Sequence, residues 1–391
     1  MPDAALHPIS RRHLDELGGE LGILQHAVGS VPDPAHGYCV DDVARALEVD
    51  LLHARGLGWA SVSGSAWRSL HFLQEAFDAE TGRFQNFRAM NGEWIGGPGS
   101  NDSFGRAMLA LGAAMEAAPD ARLVDAALAL FGRALPAAGK VTSPRAQASV
   151  VLACDAVARS ATITGSSEEP EAAVGAASAL VLRRLATGLH ARFLESARPG
   201  WPWPEESLTY ENALLPRALI VAGHRLGAGT MLAIGLQVLD WLIDVQTTPK
   251  GRFSPVGNGW WPRGGERSQF DQQPIEATSL LLAAEAAHNA TRNPRYLEVM
   301  ERAYAWFLGA NDLGRRIAHP ARGACCDGLT STGLNKNEGA ESTLMWLIAA
   351  EHIRRVRGST RQATRGLTAG QPAPQRLAAS SQVAAAPLVP G

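Results

Sequence analysis

The chain has 391 residues, is 46% hydrophobic and carries a formal net charge of −2. That length supports one large core or two domains, and the near-neutral balance argues against a nucleic-acid partner or a membrane surface. Residues 1–14 show no basic head followed by a long apolar run, no apolar segment reaches bilayer-spanning length, and Cys39, Cys154, Cys325 and Cys326 match no zinc spacing. The expectation is a cytoplasmic protein with reduced thiols, no metal and no cofactor.

In chain order, six apolar helices each open on a polar head. HGYCVDDVARALEVDLL begins at His36, GSNDSFGRAMLALGAAM at Gly99 and TSPRAQASVVLACDAVA at Thr142. TYENALLPRALIVAGHRL begins at Thr209, FDQQPIEATSLLLAAEAA at Phe270 and NKNEGAESTLMWLIAAEH at Asn335. The spacings are roughly 60–67 residues, with one of about 43, which suits a two-helix repeat. Aligning Glu276 with Glu341 sets Gln272 and Gln273 opposite Asn337 and Glu338. Positions three and four apart share a helix face, so these groups are expected to crowd one side of a first turn. The bodies of the helices are apolar nearly all round and should be buried.

Amphipathic segments alternate with these copies, among them WASVSGSAWRSLHFLQEAF, ARLVDAALALFGRAL and PRYLEVMERAYAWFLGA. They read as outer helices with one wet face, and strand-like alternation is scarce. An all-α (α/α)6 toroid follows as the expected fold, spanning residues 1–357. Residues 358–391, rich in Ala, Gly, Pro, Ser and Gln, are expected to form a disordered tail. Parallel inner helices would gather their polar heads, and their free N–H groups, around one funnel.

The loops feeding that end are long and hold Trp94, Trp201, Trp203, Trp260 and Trp261, five of the ten Trp residues. Their rings are expected to stack on sugars; rim packing is the competing reading. Carboxylates gather there too. Cleavage of a glycosidic bond needs an acid on the leaving oxygen and a second carboxylate as base or nucleophile. Asp42 and Glu211 are the first candidates for that pair, with Asp102 and Glu276 behind them. A helix N-terminus favours an ionised base at Asp42, and the aromatic surroundings of Glu211, after Tyr210 and near Trp203, suit an acid. The alternative is structural: Asp41 pairing with Arg45, Asp102 with Arg106, and Glu276 and Glu341 capping free N–H groups. Expected substrate contacts are His36, Tyr38, Asp41, Arg45, Asn101, Arg106, Trp201, Trp203, Tyr210, Asn212, Trp260, Trp261, Arg263, Gln272, Gln273, Asn337, Glu338 and Glu341.

HGYCVDDVARAL, GNGWWPRGGERSQFDQQPIEA and NEGAESTLMWL resemble motifs of the (α/α)6-barrel carbohydrate-active enzymes. That class includes inverting glycosidases, unsaturated uronyl hydrolases and N-acylglucosamine 2-epimerase-like isomerases. More narrowly, the motifs are similar to a bacterial glycosidase-related group found alone or joined to glycosyltransferases. The resemblance covers about residues 20–355 and implies an oligosaccharide or glycoside substrate and a glycosyltransferase partner. Hydrolysis by a carboxylate pair is the leading expectation. The alternatives are a sugar epimerase with His36 as proton carrier and a non-catalytic glycan-binding domain. Arg45, Arg106, Arg217 and Arg263 would serve an anion in a phosphate-using variant.

Overall fold

A computed structural model of the chain describes residues 9–97, 99–160 and 169–369. Helices dominate: α1 (Arg12–Leu17), α2 (Val40–Leu57), α3 (Ser63–Ala76), α4 (Asn101–Ala117), α5 (Ala121–Ala138) and α6 (Pro144–Val157) are followed by six more. These are α7 (Glu169–Ser196), α8 (Leu214–Leu226), α9 (Gly229–Val245), α10 (Pro274–Thr291), α11 (Arg295–Phe307) and α12 (Ala340–Ala369).

Local chemistry sets their ends. The Cys39 thiol accepts from the amide of Asp42 at the start of α2, and Ser100 Oγ accepts from the amide of Ser103 at 2.9 Å at the start of α4. Pro144 and Pro274 occupy first-turn positions of α6 and α10, where no N–H is needed. Gly227, with φ 62°, stops α8 in the left-handed conformation.

Contacts run in a circuit. α2 packs on α4, α4 on α6, α6 on α8 and α8 on α10. The Thr278 hydroxyl of α10 donates to the Met345 carbonyl of α12 at 2.8 Å. Arg45 of α2 reaches Glu341 of α12 at 3.1 Å and completes the round. Each of α3, α5, α7, α9 and α11 backs the member just before it. α4 crosses α6 closely: a Cβ at Gly112 would stand 2.8 Å from the Ala153 carbonyl oxygen. Small residues at this crossing let the two backbones touch.

α7 is long and apolar enough, by length and composition, to cross a membrane, contrary to the expectation that no segment reaches that length. Its Leu182, Leu185, Ala186, Leu189 and Phe193 nonetheless form a buried stripe at helical spacing, against α5, α6 and α8.

Short strands are more numerous than expected. Leu24–Val28, Val31–Cys39, Phe87–Arg88 and Trp94–Ile95 make a four-stranded antiparallel sheet in the loops that lead into α2 and α4. The chain divides into two compact units after Ile353. α12 continues to Ala369, so 358–369 is helical where a tail was expected. Arg361, Gln362, Ala363 and Arg365 favour a helix, and the first proline comes only at position 372. The remainder of the expected tail lies outside the described residues. All four cysteines are free and buried.

Candidate active site at the helix heads

The heads of the six circuit helices are tied together. Arg106 of α4 donates from both terminal nitrogens to the two oxygens of Glu211, one bond measuring 2.8 Å. The Tyr210 hydroxyl donates to Asp102 of α4. Arg145 of α6 donates to the Tyr210 carbonyl at 2.6 Å and to Thr209 Oγ1 at 2.7 Å, and it pairs with Glu205 at 3.0 Å. Glu276 of α10 accepts from the backbone amide of Glu211 and from the Asn212 side-chain amide at 3.1 Å. Arg45 holds Asp42 at 3.1 Å on one side and Glu341 at 3.1 Å on the other. Asp41 stands close enough to Arg45, Arg106, Asp102 and Glu341 for each to bear on its ionisation.

The turn Thr209–Ala213 is the centre of this web. Sequence spacing placed it in the first turn of a helix, but α8 begins only at Leu214, and Glu211 adopts φ 46°. A bulky residue with positive φ is strained by about 1–3 kcal/mol and persists only where its surroundings fix it. Here Arg106 fixes the side chain and Glu276 fixes the amide.

Exposure divides the carboxylates. Asp42, Glu211 and Glu276 are 3%, 6% and 5% exposed, whereas the Glu341 side chain is 41% exposed. Asp41 and Asp102 are half-buried. Burial pushes the Asp42 carboxyl up to about 7 despite Arg45 beside it. Burial likewise raises Glu276 to about 7, against the bonds from Asn212 and Glu211. Asp41 is also raised by burial, Arg45 opposing, and its Oδ1 is buried without a hydrogen-bond partner among the described residues.

Two expected roles therefore change. Asp42 was expected to be held ionised by the helix N-terminus, but desolvation outweighs that effect. Glu211 was expected in an aromatic pocket and instead faces a guanidinium. Both are buried and locked in ion pairs, whereas Asp41 and Asp102 are half-buried and the Glu341 side chain is 41% exposed.

Other candidates fall outside the web. Trp203 is fully buried and Trp201 is 6% exposed. Trp201 meets Trp241 and Trp261 edge-on, and Trp203 lies against Phe193 and Trp241. Trp261 is stacked on Trp241. The rim-packing reading holds for Trp201 and Trp203, and Trp260, 47% exposed, keeps an open face. Tyr38 is 1% exposed beneath Phe72. Gln272 is buried and bonds Asp312 and Trp306. Gln273 is the N-cap of α10, with no capping bond from its side chain. Asn337 accepts from the Gly29 amide at 3.0 Å, and Glu338 pairs with Arg322 at 3.0 Å. Asn101 accepts from Arg83 at 3.2 Å, and Arg263 pairs with Glu206 at 2.7 Å. His36 is exposed, its ring 4.8 Å from that of His26. Of the four arginines suggested for an anion, Arg45, Arg106 and Arg263 each carry a carboxylate partner.

Three further charged residues on the circuit helices escaped sequence reading. Arg145 sits in the first turn of α6. Glu48, raised to about 7 by burial with Arg106 and Arg217 opposing, follows Asp41 and Arg45 on one face of α2. Glu285 lies on α10 with His352 of α12 at 2.6 Å. The spacing of Asp41, Arg45 and Glu48 was a readable signal for the second of these.

No protein-family model matches the sequence, and no curated protein does. Solved structures do resemble the fold. A sugar epimerase from a ruminal bacterium aligns over 87% of this chain and 94% of its own at 13% identity, with a TM-score of 0.63. A cellobiose 2-epimerase from Bacillus thermoamylovorans aligns over 89% and 96% at 11% identity, with a TM-score of 0.65. A GH76 alpha-mannanase from Bacteroides thetaiotaomicron aligns over 89% and 93% at 9% identity, with a TM-score of 0.56. At such identities the likeness establishes the fold alone: the chain shares a helix-rich architecture with (α/α)6 carbohydrate-active enzymes.

Proposed function

We propose that the chain is an (α/α)6 toroid that acts on a carbohydrate, and that its chemistry is hydrolysis of a glycosidic bond by carboxylates at the inner-helix heads. The observation that carries this reading is the gathering of Asp41 and Asp102, both half-buried, and the more exposed Glu341 at a site where Arg45 and Arg106 are already paired with carboxylates. The pair is Asp41 as acid and Asp102 as base. Desolvation favours a protonated Asp41, as proton delivery to a leaving oxygen requires. The Tyr210 hydroxyl donates to Asp102 and fixes the direction of its free oxygen. Arg45 and Arg106 serve as scaffold, holding Asp42, Glu341 and Glu211 so that Asp41 and Asp102 keep their places.

A second reading is epimerisation. It rests on the His26–His36 ring pair on the strands that lead into α2, where two imidazoles could take and return a proton, and on the epimerases among the similar folds. Incubation of the purified protein with a panel of oligosaccharides separates the two. New reducing ends support hydrolysis, and an altered stereocentre at constant chain length replaces it with epimerisation. Binding without turnover across the panel overturns both in favour of a glycan-binding domain.

A further inference from the structure

We propose that His319, Cys326 and Glu338 form a binding site for a thiophilic divalent cation of the zinc class, separate from the carboxylate web. One ligand atom from each lies within 4.8 Å of the other two. His319 Nε2 is 3.7 Å from Glu338 Oε1. With metal–ligand bonds of about 2.0–2.3 Å, tetrahedral edges are roughly 3.3–3.8 Å, so closure needs about 1 Å of side-chain movement.

The backbone around each ligand is already fixed. His319 pairs with Ala324 in a two-stranded ribbon, and the Cys326 amide donates to the Ile317 carbonyl at 2.9 Å. The Glu338 amide donates to the Gly29 carbonyl at 2.9 Å, and the Glu338 carbonyl bonds His13 Nε2 at 2.7 Å. Arg322 occupies Glu338 Oε2 at 3.0 Å, which leaves Oε1 on the side of His319. Cys326 and Glu338 are 3% and 4% exposed, while the His319 side chain is 44% exposed. The pocket is thus walled on two sides and open on the third, which admits the ion and leaves a fourth position for water. A mixed nitrogen, sulfur and oxygen set suits zinc better than calcium or magnesium, which take oxygen alone.

Binding replaces the Cys326 thiol proton with the metal; the proton leaves to solvent on the His319 side. The ion would clip the segment 317–326 to the residues that lead into α12, and so brace the approach to Glu341.

Chelator-treated, reduced full-length protein titrated with zinc alone should take up one ion per chain, measured by calorimetry and elemental mass spectrometry, and should melt at a higher temperature once loaded. Cys326→Ser and His319→Ala should each weaken uptake by about tenfold or more. Cobalt(II) should give a thiolate charge-transfer band that Cys326→Ser removes and Cys325→Ser keeps. Failure to bind zinc stoichiometrically, or uptake unchanged in His319→Ala, overturns the proposal. The half-exposed His319 decides the matter if the Cys326 variant folds poorly.

Discussion

Arg106 and Glu211 meet through both nitrogens of one and both oxygens of the other, and each is less than a tenth exposed. The pair joins α4 to the turn before α8 and holds that turn in a positive-φ conformation. Glu211→Gln would leave the Arg106 guanidinium buried beside a neutral amide. Breaking a buried pair from one side costs about 3–5 kcal/mol. The variant should therefore lose stability by about that amount in urea unfolding. A loss below about 1 kcal/mol would mean that the pair does not brace the turn and that Glu211 is free for other work.

Buried acids give the fold a pH dependence. Asp42, Glu48 and Glu276 are raised to about 7, against ordinary values of 3.8 for Asp and 4.5 for Glu. Between those limits the folded chain holds protons that the unfolded chain releases, so stability falls as pH rises from about 4 to about 7. Unfolding free energy at pH 5.5 should exceed that at pH 8. Equal or greater stability at pH 8 would show that Arg45 at Asp42, Arg106 at Glu48 and the Asn212 and Glu211 amides at Glu276 keep these carboxyls ionised in the folded state.

What could be read from the sequence follows the reach of helical periodicity. Asp102, Glu276 and Glu341 lie inside first turns, where spacing fixes the face, and all three join the web. Gln272 and Glu338 lie just before those turns, where the rule has no purchase. Gln272 bonds Asp312 and Trp306, and Glu338 bonds Arg322. Trp203 shows a different limit. Its loop position suggested an open ring, but its burial depends on Trp241, a residue of α9 that local pattern cannot bring to it. The desolvation at Asp42 likewise depends on packing from neighbouring helices, which no helix-terminus argument contains.

The two classes of Trp predict opposite outcomes. Trp203→Ala removes a fully buried ring and should cost about 3–5 kcal/mol of stability. Trp260, 47% exposed, should leave stability nearly unchanged on replacement by Ala. If its open face is a sugar platform, the same change should weaken oligosaccharide binding by about 1 kcal/mol. Affinity measured by calorimetry that is identical for wild type and Trp260→Ala would remove the ring from the site.

The carboxylate assignment is decided by separating turnover from stability. Asp41→Asn and Asp102→Asn are isosteric changes at half-buried groups, so both variants should fold and still bind substrate. Each should lose turnover by about 10²–10⁴-fold if proton transfer passes through it. Asp42→Asn changes a buried partner of Arg45, so it should lower stability more than either and depress turnover only through the position of Asp41. The acid and the base can then be told apart by leaving group. A substrate with a good leaving group needs little protonation, so Asp41→Asn should regain much of its rate with an activated aryl glycoside, whereas Asp102→Asn should not. Rescue of Asp102→Asn but not Asp41→Asn would reverse the two roles. Near-normal turnover in both variants would move the chemistry to Glu341, the remaining accessible carboxylate paired with Arg45.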